Sequence, residues 1–399
     1  MNDRHPMQWA EAHSTLEDPV LAAGDAADAL RTRIGEGPID LLLCFFTAPF
    51  VPAAEAVVQR LKERLAPACL AGSSGGTVVT STNEIEWGPA ITLIGARLPR
   101  VQVRPFVLAT GAWGEAMTDA HEFARHTPGV AGSEVVLLFG DPFTLDAERV
   151  LSAFDTYAPR VRVVGGMASA GMRPSANVLL LNDWVSSEGG VGIALSGDLR
   201  VDVVVSQGCR PVGPSLTVTR AEQNILVELD GQPALERVEQ VLRSLPEHER
   251  EMLKYGLYVG RPAKGDASGR GDWLVRNLLG ADRAQGLVAV GDRMRAQEQL
   301  RLHVRDAATA TEDLEMLLSP QVFDTPAAGA LMFTCNGRGR AFFGVPDRDI
   351  TTLQQVLGGG VPVAGLSCAG EIGPIGGHNR LHGHTASIAL FRPKGPARD

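Results

Sequence analysis

The sequence predicts an α/β protein in which repeated strand-helix-strand-hairpin units form mixed sheets flanked by helices, arranged as two related modules. Short apolar runs of strand length alternate with amphipathic segments of helical period, which is the pattern of α/β folds. The order of strand, helix, second strand, glycine-rich turn and closing strand occurs three times, which indicates a repeated supersecondary unit. The chain of 399 residues also exceeds the roughly 250–300 residues at which a single core stops growing.

The N-terminal segment and the first copy of the repeated unit extend to residue 98. Apolar residues at helical spacing predict a helix over residues 9–34, which Gly35 and Pro38 end. The first copy then has the strand Ile39–Phe46, a helix that begins at Pro52, the strand Cys69–Gly72, a glycine turn at 73–76, a polar hairpin and the closing strand Ala90–Leu98. The helix after Pro52 is amphipathic, with its apolar residues on one face.

The second and third copies contain the same elements in the same order. The second copy has the strand Val135–Phe139, the helix Asp146–Tyr157, the strand Val161–Val164, the turn Gly165–Gly171 and the closing strand Val191–Leu195. The third copy has the strand Gly329–Phe333, a helix near Ile350–Leu357, the strand Val361–Ala364, the turn Gly365–Gly370 and the closing strand Ala386–Phe391. Because every element matches in order, we expect the three copies to share one fold.

The segment between the second and third copies predicts a further sheet. Val201–Ser206 is expected to continue the second copy's sheet, and Cys209–Pro214 to form a rigid connector. Beyond it the sequence predicts a strand at Ile225–Leu229, a tight turn at Asp230-Gly231, a helix at Pro233–Leu242, strands at Gly256–Val259, Gly286–Val290 and Gln299–Val304, a mobile loop at Gly265–Asp272 and a helix at Thr309–Leu318. We therefore expect an N-terminal helical extension at 1–36, followed by modules at 37–215 and 216–399.

Composition narrows the classes of function. The formal net charge is −9 and lysine occurs only at positions 62, 254, 264 and 394, so a basic surface for nucleic acid is not expected. The five cysteines are odd in number and widely spaced, which is typical of a reducing cytosol and not of a disulfide framework. No signal-peptide pattern is visible, and the apolar runs fall far short of the ~20 residues that span a bilayer. We expect a cytoplasmic protein that binds neither nucleic acid nor membrane.

The densest polar segment of the chain is Cys335-Asn336-Gly337-Arg338-Gly339. It follows a predicted buried strand, and α/β sheets usually hold ligands at the carboxyl ends of their strands. The glycines beside Arg338 would let backbone N–H groups approach an anion closely. Arg338 itself is expected to clasp a carboxylate or phosphate through two parallel hydrogen bonds. The alternative is a glycine-rich turn that carries a solvated arginine.

Gly370 and Glu371 end the third glycine turn, which in a parallel arrangement would lie beside the strand that ends at Cys335. Glu371 is expected either to pair with Arg338 or to receive the ammonium group of a ligand. An arginine for a carboxylate and a glutamate for an ammonium would suit an amino-acid-like ligand. The alternative is a salt bridge that orders the loop. We expect His382 to support this loop or to contact the ligand.

Metal and covalent chemistry lack a recognisable set of residues. His378, His382 and His384 are spaced like a metal-binding run, but the neighbouring glycines favour a hairpin and no further ligand is evident, so no metal site is predicted. The candidate nucleophiles are Cys335, Cys368 and a glycine-turn serine such as Ser73, and none of them has a catalytic motif around it. The phosphate-binding motifs of nucleotide enzymes are absent. We therefore expect no cofactor and no enzymatic activity, with a Cys-dependent enzyme as the alternative.

Several ordered motifs of the chain resemble the FIST family, in which a FIST N domain precedes a FIST C domain. The resemblance covers nearly the whole chain after residue 38, and its motifs are Arg210–Pro214, Glu228–Ala234, Leu274–Asn277, Leu302–Asp306, Cys335–Gly339, Gly370–Pro374 and Leu381–Ser387. It implies an intracellular sensory protein that binds a small ligand, with amino acids as the associated class. His384 departs from the family pattern, which has an aromatic or apolar residue there.

The residues and the resemblance together predict a signal-transduction sensor. Its ligand is expected to be an amino-acid-like molecule or another small carboxylate, held by the Cys335–Gly339 segment, Gly370, Glu371 and His382. No kinase, cyclase or receiver motif adjoins these modules, so the signal is expected to pass to a separate downstream protein. A homo-oligomer is left open. The alternative from a different class is a protein-interaction scaffold, in which the glycine turns would be purely structural.

Overall fold

The computed structural model describes residues 6–111, 114, 117–263 and 273–394, so the loop predicted at Gly265–Asp272 lies outside the described residues. The strands are β1 Gln8–Ser14, β2 Leu41–Thr47, β3 Leu70–Gly75, β4 Val78–Val79, β5 Glu84–Ile85, β6 Ile91–Arg97, β7 Val101–Leu108, β8 Val135–Gly140, β9 Arg162–Met167, β10 Leu179–Leu181, β11 Trp184–Ser186, β12 Gly190–Gly197, β13 Leu199–Gln207, β14 Cys209–Glu222, β15 Ile225–Leu229, β16 Gln232–Pro233, β17 Leu257–Pro262, β18 Trp273–Asp282, β19 Leu287–Val290, β20 Gln299–Arg305, β21 Gly329–Cys335, β22 Val363–Cys368, β23 Glu371–Ile375, β24 His378–His382 and β25 Thr385–Pro393. The α-helices are α1 Pro19–Ile34, α2 Ala54–Leu65, α3 Ala120–His126, α4 Ala147–Tyr157, α5 Ala234–Ser244, α6 Glu247–Met252, α7 Ala307–Leu318, α8 Arg340–Phe343 and α9 Arg348–Val356. Short 3₁₀ helices occur at Ala48–Ala53, Leu253–Tyr255 and Ser319–Phe323.

The chain divides into two compact units. The first contains residues 1–205, 314–381 and 385–399, and the second contains residues 206–313 and 382–384. All three copies of the repeated unit therefore belong to the first compact unit. This differs from the predicted modules at 37–215 and 216–399, because the third copy shares its sheets with the first two. The predicted extension at 1–36 is also part of the first unit, where β1 pairs with β6 and α1 packs beside them.

Three six-stranded mixed sheets form the first unit, one around each copy. Their strand orders are β1-β6-β2-β3-β10-β11, β7-β12-β8-β9-β23-β24 and β13-β25-β21-β22-β4-β5. In each sheet the leading strand of the copy pairs in parallel with the second strand and antiparallel with the closing strand. These sheets and their helices confirm the predicted mixed α/β fold.

The hairpin after each glycine turn joins the sheet of a different copy. The first copy's hairpin β4-β5 pairs with β22 of the third copy. The second copy's hairpin β10-β11 pairs with β3 of the first, and the third copy's strand β23 pairs with β9 of the second. We call this cyclic arrangement the hairpin exchange. It brings residues that are far apart in sequence to the same sheet edge.

The second strand of each copy contains a glycine whose position excludes a side chain. A Cβ atom built at Gly72, Gly165 or Gly365 would lie 1.8, 2.0 or 1.8 Å from the carbonyl oxygen of the residue opposite it on the leading strand. Glycine is therefore required by the close approach of two backbones. Because the same contact occurs three times, the copies share one backbone arrangement between their leading and second strands.

One aromatic ring from each leading strand lies at the centre of the first unit. Phe45, Phe139 and Phe333 are fully buried, and their ring centroids are 5.5, 6.1 and 5.7 Å apart in pairs. Such edge-on and tilted contacts contribute about 0.5–1.5 kcal/mol per pair beyond burial of the rings. The three copies therefore meet around a common apolar core.

The helix predicted over residues 9–34 is wrong in its first part. Residues Gln8–Ser14 form β1, an edge strand in antiparallel register with β6. Helix α1 begins only at Pro19, and Asp18 caps it by accepting the N–H groups of Val20 and Leu21. An aspartate before a proline is a strong helix-start signal, and the residues at helical spacing all follow it.

The second unit contains a seven-stranded sheet in the order β14-β20-β17-β18-β19-β15-β16. The predicted connector Cys209–Pro214 is instead the start of β14, and a bulge between Val212 and Ser215 absorbs Gly213, whose φ is 65°. The tight turn at Asp230-Gly231 is confirmed, with φ angles of 51° and 77°. Val201–Ser206 lies in β13, which joins the third copy's sheet and not the second's.

Among the described residues, no helix combines the length and the apolar character that crossing a membrane requires.

Candidate functional site

The Cys335–Gly339 segment lies at the end of β21, beside the turn that follows β22. Cys335 is opposite Cys368 in the parallel register of these two strands. The N–H of Asn336 donates to the carbonyl of Cys368 at 3.0 Å, and the N–H of Arg338 donates to the carbonyl of Cys335 at 2.7 Å. These bonds turn the chain sharply after the strand and direct Arg338 into the protein.

Arg338 is buried and paired with a carboxylate of α9. Its Nε and Nη2 donate to the two carboxylate oxygens of Asp349, each at 2.7 Å, and neither side chain is exposed. The ring of Phe343 lies 5.3 Å from the guanidinium carbon. The alternative of a solvated arginine is therefore wrong. Asp349 occupies Nε and one N–H of Nη2, the two donors that were expected to bind a ligand anion, and Nη1 has no partner among the described residues.

A carboxylate from the first copy also reaches this cluster through the hairpin exchange. Glu84 of β5 is buried, and its Oε1 accepts the N–H of Ile350 at 2.9 Å. Burial and the negative charge of Asp349 raise the pKa of Glu84 to about 8, while the charge of Arg338 opposes this shift. No local pattern in the sequence identifies Glu84 or Asp349, because each acquires its partner only through non-local packing.

Glu371 is fully buried at the start of β23. Its Oε2 accepts the N–H of Thr385 at 3.1 Å and the hydroxyl of Thr385 at 2.8 Å. Burial raises the pKa of Glu371 to about 8, and the hydrogen bonds from Thr385 and the positive charge of Arg338 act in the opposite direction. The predicted ion pair between Glu371 and Arg338 is not formed, since Arg338 pairs with Asp349.

Two atoms of this cluster, a hydrogen-bond donor and an acceptor, have no hydrogen-bond partner among the described residues. They are Nη1 of Arg338 and Oε1 of Glu371, both buried. Native proteins satisfy nearly all buried polar atoms, because an unmade hydrogen bond there costs about 1–3 kcal/mol or more for a charged group. The half-buried Cys335 lies at the end of β21, opposite the buried Cys368 in the parallel register.

The other two copies show which residue type the scaffold itself favours at the position of Glu371. In the sheet register, Glu371 occupies the same place as Val78 of the first copy and Leu179 of the second. Both of those residues are buried and apolar. The fold therefore accommodates an apolar side chain at this position twice and a carboxylate once, so the carboxylate is not required by the fold.

The remaining predicted site residues lie in different surroundings. Gly370 accepts the N–H of Met167 at 2.9 Å, and the N–H of Gly337 lies 3.5 Å from Sγ of Cys335. A Cβ atom at Gly339 would meet the carboxylate of Glu86 at 3.2 Å. His382 is the buried last residue of β24.

Each of the other histidines of the predicted run contacts a separate partner. His378 Nδ1 lies 3.2 Å from a carboxylate oxygen of Asp155, and His384 Nε2 lies 2.9 Å from the amide oxygen of Asn277. Within the part of the chain that the structure describes, no group of three or more His, Cys, Asp or Glu side chains could hold a metal ion. The H-x-x-x-H-x-H spacing therefore does not assemble a shared site there.

Replacing Glu371 with glutamine is expected to flatten the pH dependence of stability. The pKa of Glu371 is raised from 4.5 to about 8, so between these pH values the folded protein holds more protons than the unfolded chain. The free energy of unfolding should therefore fall as the pH rises through this window. Glu371→Gln removes up to about 1.4 kcal/mol per pH unit of that slope in urea denaturation. The exposed Glu63→Gln is the control, and an unchanged slope in Glu371→Gln would contradict the assignment.

The models of two protein families match the chain. They are the FIST N domain over residues 40–232 and the FIST C domain over residues 234–374. An uncharacterized protein of Mycobacterium tuberculosis is 34% identical over 382 residues, which cover 95% of this chain and 98% of the relative. An uncharacterized protein of Mycobacterium bovis is 37% identical over 377 residues, covering 93% of this chain and 94% of the relative.

Among solved structures, the crystal structure of cyanuric acid hydrolase from A. caulinodans matches with a TM-score of 0.35 and 11% identity. The match covers 98% of this chain and 100% of the hydrolase chain. A likeness at this level establishes neither a common fold nor a common reaction.

Proposed function

The chain belongs to the FIST family, and from this premise we propose that it is a sensory protein that binds a small ligand between Arg338 and Glu371. The FIST N and FIST C models together match most of the chain, and the mycobacterial relatives align over nearly its full length. Both proposed contact residues come from the third copy. The output passes to a separate signalling protein in the cytoplasm.

The observation that carries this proposal is the unpartnered Oε1 of Glu371. A buried carboxylate oxygen without a hydrogen bond destabilises the fold, and the matching positions in the other copies, Val78 and Leu179, avoid that cost. A carboxylate that the scaffold does not require supports a role in binding. Its complement in a ligand is an ammonium or another hydrogen-bond donor.

The charges of the cluster define the ligand further. Arg338 and Asp349 neutralise each other, and the raised pKa of Glu371 leaves that carboxyl largely protonated at neutral pH. An ammonium group would replace this proton, while Nη1 of Arg338 is available to a carboxylate oxygen of the same ligand. An amino-acid-like ligand meets both requirements. Its binding should release a proton, which the dependence of the calorimetric enthalpy on the ionisation enthalpy of the buffer would reveal.

Burial of both contact atoms suits a sensor. A ligand that reaches them must displace the turns around Cys335, so occupancy is coupled to a change in conformation. Such a ligand shifts the equilibrium between two arrangements by its difference in affinity for them. Binding without covalent chemistry is consistent with Cys368, whose burial and whose neighbours Glu371 and Cys335 raise the pKa of its thiol well above the ordinary value.

A thermal-shift screen of amino acids, small carboxylates and small amines tests this function. We expect at least one amino-acid-like compound to raise the melting temperature of the wild type. Glu371→Val, which copies the residue of the first repeat, should fold with equal or greater stability and lose the shift. Glu63→Gln, a change at an exposed carboxylate, should keep it. A hit that stabilises Glu371→Val as strongly as the wild type, or the absence of any hit, contradicts the proposal.

A further inference from the structure

A cavity of about 410 Å³ lies in the first unit, lined by residues of β1, α1, the loop between β4 and β5, and the glycine loop after α9. Arg338 and Glu371 are not among its lining residues. Its volume falls within the roughly 300–1,000 Å³ range of small-molecule sites. Three side chains at its wall, Trp9, Glu11 and Arg33, determine what it can hold.

Arg33, which lines this cavity, has two guanidinium nitrogens, Nε and Nη2, that can donate hydrogen bonds side by side. It lies in the last turn of α1, and its side chain is 54% exposed. Nη1 is held in place by the backbone carbonyl of Glu11 at 2.5 Å and by Oε2 of Glu11 at 3.4 Å. Nε and Nη2 have no hydrogen-bond partner among the described residues. This is the same pair of atoms with which Arg338 binds Asp349, so the edge is suited to a carboxylate.

The carboxylate of Glu11 does not cover that edge. Glu11 is buried, and its Oε1 is bound to His13 Nδ1 at 2.9 Å and lies 3.5 Å from the hydroxyl of Thr92. The charge of Glu11 is therefore directed toward the protein interior and toward Nη1 of Arg33. An anionic ligand would accept hydrogen bonds from Nε and Nη2, the two nitrogens of Arg33 that Glu11 does not contact.

Trp9 also lines this cavity. Its indole Nε1 is buried and has no hydrogen-bond partner among the described residues. The ring stacks on Phe391 with centroids 4.5 Å apart, which fixes its orientation. Ala10, Val361 and Pro362 contribute apolar wall beside it. A ligand here requires an apolar body and a hydrogen-bond acceptor.

We propose that this cavity is a separate binding site for a small apolar carboxylate, whose oxygens accept from Arg33 and whose apolar body packs beside Trp9. The site does not depend on the function proposed for Arg338 and Glu371, and it takes a ligand that lacks an ammonium group. The carboxylate satisfies the free edge of the arginine, and the apolar body of the ligand covers the adjacent wall.

The indole N–H of Trp9 provides a direct readout. In ¹⁵N-labelled protein, the Trp9 indole signal is assigned by its loss in Trp9→Phe. Hexanoate and phenylacetate are then titrated against their amides, which have similar shapes but no charge. We expect at least one acid to shift the Trp9 signal saturably and its amide to be at least tenfold weaker, as the loss of a charge-assisted hydrogen bond implies.

Substitutions at Arg33 test whether the guanidinium fork holds the acid. Arg33→Ala should weaken the acid about tenfold or more, and Arg33→Lys, which keeps the charge without the fork, should be intermediate. Arg160→Ala, a change at an exposed arginine of the second copy, and Glu371→Val should both bind like the wild type. The proposal is overturned if neither acid shifts the Trp9 signal, if the amides bind equally, or if Arg33→Ala binds unchanged. If Glu371→Val still binds the acid, this cavity is a different site from the one proposed between Arg338 and Glu371.

Discussion

Alanine at Gly365 is expected to prevent the first unit from folding. The added Cβ would lie 1.8 Å from the carbonyl oxygen of Met332 and 2.7 Å from its carbonyl carbon. Both are backbone atoms of the neighbouring parallel strand, so the contact can be relieved only by separating β21 from β22. That separation would disrupt the third sheet and the central contacts of Phe333, a loss larger than the roughly 4–5 kcal/mol that marks exceptional substitutions. Circular dichroism should show loss of a cooperative thermal transition.

The same change at Gly72 or Gly165 should have an equally severe effect, because all three copies have this contact between their two parallel strands. Gly280→Ala is the matched control. It lies in a strand, and a Cβ there would meet no atom within 4 Å. We expect it to change stability by less than about 1 kcal/mol. A soluble and cooperatively unfolding Gly365→Ala protein would show that the strands can separate at little cost.

Alanine at Arg338 is expected to destabilise the first unit by about 3–5 kcal/mol. Asp349 would then be left as a buried carboxylate without the arginine that pairs with it. Asp349→Ala should have a similar effect through the buried arginine. Urea denaturation measures both. This loss arises in the absence of any ligand, so a failure of Arg338→Ala to bind a compound does not by itself identify a binding residue.

The double variant Arg338→Met with Asp349→Leu tests whether the single variants lose stability because a charge is left buried without its partner. Replacing both charges with apolar side chains of similar volume should restore much of the lost stability, because no charge is left buried alone. Arg243→Ala provides the exposed control: its ion pair with Glu239 at 3.5 Å lies on the surface of α5 and should contribute less than about 1 kcal/mol. Equal losses in the single and double variants would rule out unpaired charge as the cause.

The repeated copies were predictable from the sequence because their signals are local. Buried strands such as Val135–Gly140 are continuous apolar runs, and Asp146 before the helix of the second copy is a recognisable cap. The sequence does not indicate β1, because the helical spacing of Ala22, Ala26 and Leu30 is extended back to residue 9 across the cap at Asp18, whereas the pairing with β6 makes this segment extended. A pattern along one segment carries no information about a strand that neighbours it from elsewhere in the chain.

The candidate site was predictable only in part for the same reason. Arg338 and Glu371 stand out in the sequence by their glycine surroundings, which are local. Glu84 and Asp349 do not, because the hairpin exchange and the packing of α9 bring them to Arg338. The sequence therefore indicated a place where polar groups gather, whereas the partner of Arg338 depends on tertiary structure.

The hairpin exchange also limits how such a unit could exist in smaller pieces. The hairpin of each copy pairs with the sheet of a second copy, and its own sheet pairs with the hairpin of the third. A single copy alone would therefore leave both a hairpin and a sheet edge unpaired. Separate chains could satisfy these edges only by closing into a trimeric ring, as repeated head-to-tail contacts do. Linking the copies in one polypeptide fixes their number and order. It also releases equivalent positions from having to be identical, so that one of them can hold Glu371 where the others hold Val78 and Leu179.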